Sequence, residues 1–275
     1  MRYLWDLYPE YLHEWTHSAW KRALMISLSS YLRLWDYASA SRVDNFVANS
    51  INVQKRIWRS YRRKSEVVYP PVAIETFYHR PARDYYLIVS ELVPYKRIEH
   101  AVQCFSRTGR RMKIVGDGPE YKHLKKSAAP NIEFCGRVSP AELRDLYAHC
   151  RAVVQPGEED FGIVAVEAIA SGKAVIALGR GGVLESVPSA DPHAGFFYDD
   201  PGEANLEEAV SRFERQESSV RSYELQTAAL RFSEERFAEG MRGVIRTESE
   251  ELDESPAYPI QVQDLETPVA GLVRL

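Results

Sequence analysis

Two glutamates, Glu159 and Glu167, stand eight residues apart with Gly162 between them. They belong to the run Glu159-Asp160-Phe161-Gly162-Ile163-Val164-Ala165-Val166-Glu167, which joins an apolar segment ending near Gln155 to a helical pattern opening near Gly162. A glycine at that entrance lets a ligand approach the main chain closely. The N–H groups of the first helical turn then face an anion, helped by the helix dipole. One carboxylate sits in the loop and the other inside the helix, so they cannot occupy the same spot. They can accept hydrogen bonds from hydroxyls at two ends of a long ligand. A nucleotide sugar has that form, with hydroxyls on the sugar, phosphates in the middle and hydroxyls on the ribose. The same spacing also fits two solvated acids on a helix face, so the surrounding residues must decide.

The elements that position this segment follow from hydrophobic periodicity. Short apolar runs predict strands at Tyr85–Val89, Met112–Val115, Ile132–Phe134, Ala152–Gln155, Ala174–Leu178 and Gly195–Tyr198. Between them, helical spacing covers Ile98 to Phe105, Glu120–Ser127, Pro140–Tyr147, Ile163–Ser171 and Leu206–Phe213. Strands that are apolar throughout and alternate with helices predict an α/β fold: a Rossmann-like parallel sheet with helices on both faces. Ligands of such sheets bind at the carboxyl ends of the strands. Residues 1–50 have an aromatic, helical texture, with Trp5, Tyr8, Tyr11, Leu12 and Trp15 at three- and four-residue steps. Residues 56–64 form a basic stretch. It could contact anionic lipid or an acceptor phosphate, or be the solvated face of a helix, which is the expected reading.

The 275-residue chain is 45% hydrophobic and 27% charged, ordinary for a globular domain of this size. A net charge of -4 supplies no global basic field, which argues against nucleic-acid binding and leaves local anion sites open. The three cysteines, Cys104, Cys135 and Cys150, have no paired spacing and read as free thiols of a reducing compartment. The expected location is therefore the cytoplasm or the inner face of its membrane. The best apolar run, Ala23 to Leu32, is too short to cross a bilayer.

Several further segments stand in order along the chain. Pro-Tyr-Lys-Arg (94–97) follows the first strand, then Val-Gly-Asp-Gly-Pro-Glu (115–120), Phe-Cys-Gly-Arg-Val (134–138), Glu-Asp-Phe-Gly-Ile-x-x-x-Glu-Ala-x-Ala-x-Gly (159–172) and Gly-Arg-Gly-Gly-Val-Leu-Glu (179–185). Together with Asn49-Ser50, residues 68–72 and the segment from Arg231 to Phe237, they resemble glycosyltransferase family 4, the retaining transferases of the GT-B fold. The blocks closest in appearance are those of bacterial mannosyltransferases. The match covers roughly residues 1–245.

The resemblance implies a role for each matching residue. Lys96 would pair with the donor diphosphate, with Arg97 a weaker candidate. Glu159 would hold the sugar hydroxyls, and Glu167 those of the ribose. Asp160 and the backbone N–H groups of Phe161, Gly162 and Ile163 would line the sugar and phosphate, and Gly116 and Gly118 the turn beside them. Arg137 and Val138 would lie near the base. Glu159 and Lys96 are thus the catalytic candidates. The donor would be a nucleotide diphosphate sugar, GDP-mannose favoured, and the acceptor a glycan or lipid-linked sugar. No Asp-x-Asp occurs in the chain, which fits chemistry without a metal or other cofactor.

Two departures qualify the match. Glu91 stands where the family often has an arginine, five residues before the lysine. Met1 to Asp6 also resembles an interior segment of family members, normally preceded by a Rossmann-like acceptor domain. None of the seven histidines matches the family's proposed catalytic position. The expected organisation is a helical remnant of the acceptor domain at 1–50, a donor domain at 51–230, a closing helix at 231–247 and an acidic, disordered tail at 248–275. The alternative is a truncated nucleotide-sugar-binding module, inactive alone or needing a separate acceptor-domain subunit.

Overall fold

The computed structural model describes residues 2–6, 8, 19–188 and 193–254. Helix α1 (Ala19–Ala40) leads into strand β1 (Phe46–Ala48), helix α2 (Ile51–Tyr61) and strand β2 (Ser65–Val67). Next come β3 (Tyr86–Val89), α3 (Ile98–Thr108), β4 (Met112–Val115), α4 (Tyr121–Ser127), β5 (Ile132–Gly136), α5 (Pro140–His149) and β6 (Ala152–Gln155). The remainder is α6 (Ile163–Ala170), β7 (Ala174–Leu178), β8 (Gly195–Tyr198), α7 (Glu203–Gln216), α8 (Ser222–Ala229) and α9 (Glu234–Glu254).

Six strands pair in parallel in the order β5-β4-β3-β6-β7-β8. The chain builds outward from β3 to one edge, returns to lay β6 beside β3, and builds to the other edge. Connections therefore leave β3 and β6 in opposite directions. That switch point opens a crevice at the carboxyl ends of the two strands. They meet at Leu87 and Val153.

Alternation along the strands divides the core in two. Tyr86, Ile88, Ile114, Val154 and Ile176 pack with α3 and α7. Leu87, Val115, Val153, Val175 and Ala177 pack with α5, α6 and α8 on the other face. Both faces are covered, which is why β3 and β7 are apolar at every position rather than every second one.

The first strand pair is a separate small sheet. β1 and β2 run parallel, Phe46 opposite Ser65, with α2 as their crossover. α1 is tied to this unit through Asp36, which accepts from Trp5 Nε1 at 2.8 Å and from the Tyr61 hydroxyl at 2.7 Å. Much of α1 is apolar and exposed, including Trp20, Leu24, Leu28, Tyr31 and Leu34.

Some expected elements differ. Residues 46–48, in a stretch expected to be helical, form a strand that pairs with 65–67, so residues 46–67 make a βαβ unit. Strands of three residues are too short to carry a readable alternation. At the other end, the helix starts at Glu234 and continues to Glu254, so residues 248–254 extend it. Those positions are rich in glutamate, a good helix former. Residues 255–275 of the expected tail, and Tyr11, Leu12 and Trp15 of the expected first helix, lie outside the described residues. No described helix is long and apolar enough to cross a membrane.

Candidate functional site

The crevice between β3 and β6 is built by the two loops that leave those strands. After β3, a single turn at Pro94–Lys96 carries Lys96 over the strand end. Arg97, with φ 53°, then redirects the chain into α3. After β6, Pro156 and Gly157 lead to Glu158 and Glu159. Gly157 lies directly against the main chain of Lys96, where an added Cβ would come 2.7 Å from its Cα. This contact brings the loops together. The Lys96 ammonium and the Glu159 carboxylate form an ion pair. Ser90, Lys96, Gln155, Gly157 and Glu159 line a narrow recess beneath it.

From Glu159 the chain turns into α6 through Gly162, whose φ of 94° suits glycine. Among the described residues, the backbone N–H groups of Gly162, Ile163 and Val164 have no main-chain acceptor. They form the open positive end of the helix. Phe161 is buried, stacked on Tyr69 at 5.6 Å and edge-on to Phe232 at 5.2 Å between ring centroids. The N–H of Gly182 donates to the Glu159 carbonyl at 2.8 Å, and the Ser186 hydroxyl donates to the carbonyl of Phe161.

The small βαβ unit holds the same loop from outside. The Ser50 hydroxyl donates to the Asp160 carbonyl at 2.7 Å and accepts from Val53 N as the N-cap of α2. Arg56 pairs with the carboxylate of Asp160 and lies 3.3 Å from that of Glu158. Arg56 is therefore neither a lipid contact nor part of a solvated face; it clamps the acidic loop. Arg59 likewise pairs with Asp6. The Asp160 side chain, expected to line the donor, is engaged by this clamp. Ser50→Ala removes both a cap and the donor to a carbonyl. It is expected to lower stability by about 1–3 kcal/mol, read by thermal or denaturant unfolding.

Glu167 lies along α6, away from the loop. The Tyr147 hydroxyl donates to its Oε2 at 2.6 Å. Tyr147 is completely buried, so it fixes one carboxylate oxygen and leaves the other to be presented. Desolvation raises the Glu167 carboxyl above its ordinary value, with the tyrosine bond opposing. A carboxyl raised in the folded state weakens stability as pH climbs from its unfolded value through its folded one. Glu167→Gln is therefore expected to stabilise the protein at neutral pH. The advantage should shrink as pH falls through the carboxylate range. Unfolding curves at pH 7 and pH 4 test this.

The remaining expected residues are more dispersed. Gly116 and Gly118 pack on the main chain of Ser90 and Leu92, tight against the crevice wall. Arg137 follows β5, at the sheet's edge, exposed and 3.8 Å from Asp117. Val138 packs at the margin of the core. Ile163 is exposed at the helix entrance. Glu91, in place of the family arginine, is also exposed. Tyr147, Arg56, Ser50 and Gln155 were not legible as site residues. Tyr147 and Gln155 sit in otherwise apolar patterns, and the other two act across more than a hundred residues of sequence.

A doubly wound sheet with a basic and an acidic loop at its switch point is the donor-domain architecture of GT-B glycosyltransferases. Residues 76–228, more than half the chain, match the family model described as glycosyl transferases group 1. The chain belongs to that family. An uncharacterized glycosyltransferase of Methanocaldococcus jannaschii is 28% identical over 170 residues, 60% of this chain and 48% of that protein. The chain thus spans about half the length of that relative. A GDP-mannose-dependent alpha-mannosyltransferase of Corynebacterium glutamicum is 35% identical over 100 residues, 36% of this chain and 24% of that protein. Among solved structures, Anabaena HepE in complex with UDP and glucose superposes with a TM-score of 0.67 at 19% identity, covering 83% of this chain and 75% of that one. Sucrose-phosphate synthase from Thermosynechococcus elongatus gives 0.70 at 18% identity, covering 87% and 66%.

Proposed function

We propose that this chain is the donor half of a retaining hexosyltransferase, taking mannose from GDP-mannose to a glycan or lipid-linked acceptor. The observation that carries the reading is the pairing of Lys96 with Glu159 at the switch point, beside an open helix end. On donor binding, Lys96 exchanges Glu159 for the diphosphate, and Glu159 turns to the sugar hydroxyls. The N–H groups at the start of α6 add positive potential where the leaving diphosphate gains charge, the kind of preorganised stabilisation that dominates many transfer reactions. Glu167, braced by Tyr147, takes the ribose hydroxyls, and Arg137 and Val138 flank the base. The leaving phosphate receives the acceptor proton on the same face, and no metal takes part. The mannose assignment draws support from the Corynebacterium relative. The UDP complex of Anabaena HepE makes UDP-glucose the donor to compare.

The acceptor would be held by a separate α/β domain placed against α1 and the β1–β2 pair. Support comes from the exposed apolar side chains of α1 and from a parallel sheet that has two strands among the described residues, since parallel sheets are normally covered and extended. The reaction would run in the cytoplasm, where the free thiols Cys104, Cys135 and Cys150 are stable.

The test is turnover of GDP-mannose and UDP-glucose, with release of GDP or UDP measured and the new anomeric centre read by NMR. The proposal expects faster turnover of GDP-mannose and an anomer matching the donor. An inverted anomer would refute retention, and a preference for UDP-glucose would overturn the mannose assignment. Tight donor binding without turnover would favour a binding module that needs its acceptor domain.

A further inference from the structure

Gln155 is the last residue of β6 and only 7% exposed, and its side-chain carbonyl oxygen is buried without a hydrogen-bond partner. Native proteins rarely leave such an atom unpaired, because the desolvation cost is not recovered. Strand alternation puts Gln155 on the face of Val153, the side covered by α6. The recess it lines is shared with Ser90, Lys96 and Glu159. A strand otherwise made of Ala152, Val153 and Val154 thus ends in a polar side chain placed under the ion pair.

We infer that Gln155 reads the transferred sugar, its carbonyl accepting a hydrogen bond from a hydroxyl of the hexose. The inference rests on the nucleotide-sugar reading of this cleft. The choice of group follows from polarity. A carbonyl oxygen needs a donor, and a diphosphate at neutral pH offers mainly acceptors. The Lys96 ammonium is taken by Glu159 and, in the proposed complex, by the diphosphate. A hexose brings hydroxyls that donate. Two acceptors converge on the recess, Glu159 charged and Gln155 neutral, and neighbouring hydroxyls of one ring suit them. Gln155 therefore distinguishes hexoses that differ in the presence or orientation of one hydroxyl.

Gln155→Met keeps the length of the side chain and removes the acceptor; Gln155→Glu keeps an acceptor. Dissociation constants are measured for GDP-mannose, GDP, UDP-glucose and UDP, and for monodeoxy forms of whichever sugar donor binds better. Gln155→Met should weaken the sugar nucleotide about tenfold and leave the free nucleotide within about twofold. One monodeoxy donor should bind the wild type as weakly as the parent donor binds Gln155→Met, with no further loss on combining the two. The melting temperature of Gln155→Met should equal or exceed that of the wild type, since a buried unpaired carbonyl has been removed. Gln155→Glu should retain discrimination against that same deoxy donor. Equal weakening of sugar nucleotide and free nucleotide, or no weakening of either, overturns the inference while leaving the donor site in place. Failure of the wild type to bind any of the four ligands overturns the donor-site reading and this inference together.

Discussion

Lys96→Ala is expected to slow sugar transfer by about 10²- to 10³-fold, the range found when one preorganised donor to developing negative charge is removed. The lysine sits at the junction of the two loops that form the crevice, held there by the close approach of Gly157. Its ammonium pairs with Glu159 across that junction. The family arginine five residues upstream is replaced by Glu91, so less counter-charge remains to share the loss. Lys96→Arg should rescue poorly, because a planar fork does not replace a compact ammonium in a recess this small. Steady-state turnover and thermal unfolding on the same preparations separate a catalytic loss from an unfolded one. Turnover within about threefold of wild type would remove Lys96 from the chemistry.

Phe161→Ala is expected to destabilise the protein by about 3–5 kcal/mol, the usual cost of truncating a buried aromatic. The ring is almost fully buried and sits between Tyr69 and Phe232. Phe232 belongs to the turn before α9, so the loss would reach both ends of the donor unit at once. At about 2–4 °C per kcal/mol for a domain of this size, the melting temperature should fall by roughly 6–20 °C. Donor affinity should fall as well, because Phe161 anchors the loop that carries Glu159 and opens α6. A drop in melting temperature below about 3 °C would mean that the cluster does not hold the loop.

The central sheet was legible because its strands are short runs apolar on both faces. Tyr86–Val89 and Ala174–Leu178 carry that signal without interruption; Met112–Val115 and Ala152–Gln155 carry it apart from Lys113 and Gln155. Strand order was not, since nothing local in the sequence says that β6 returns to lie beside β3. The candidate site was readable where a charged residue follows a strand end, as with Lys96 and Glu159, which pair across the crevice. It was unreadable where a partner comes from elsewhere in the chain. Tyr147 looks like an ordinary apolar position of α5, yet it fixes a carboxylate oxygen of Glu167. Arg56 looks like one cation in a basic run, yet it turns inward to Asp160. The β1–β2 pair escaped notice because three residues cannot display a period.

Thermal-shift titration of this chain with GDP-mannose, GDP, UDP-glucose and UDP asks whether the crevice binds a nucleotide sugar through α6. At a hundred times its dissociation constant a ligand stabilises by about 2.7 kcal/mol, which is a rise of roughly 5–10 °C here. That rise is expected for GDP-mannose in the wild type and its loss in Glu167→Ala. No shift with any of the four, or an undiminished shift in Glu167→Ala, would mean that α6 does not hold a nucleotide sugar.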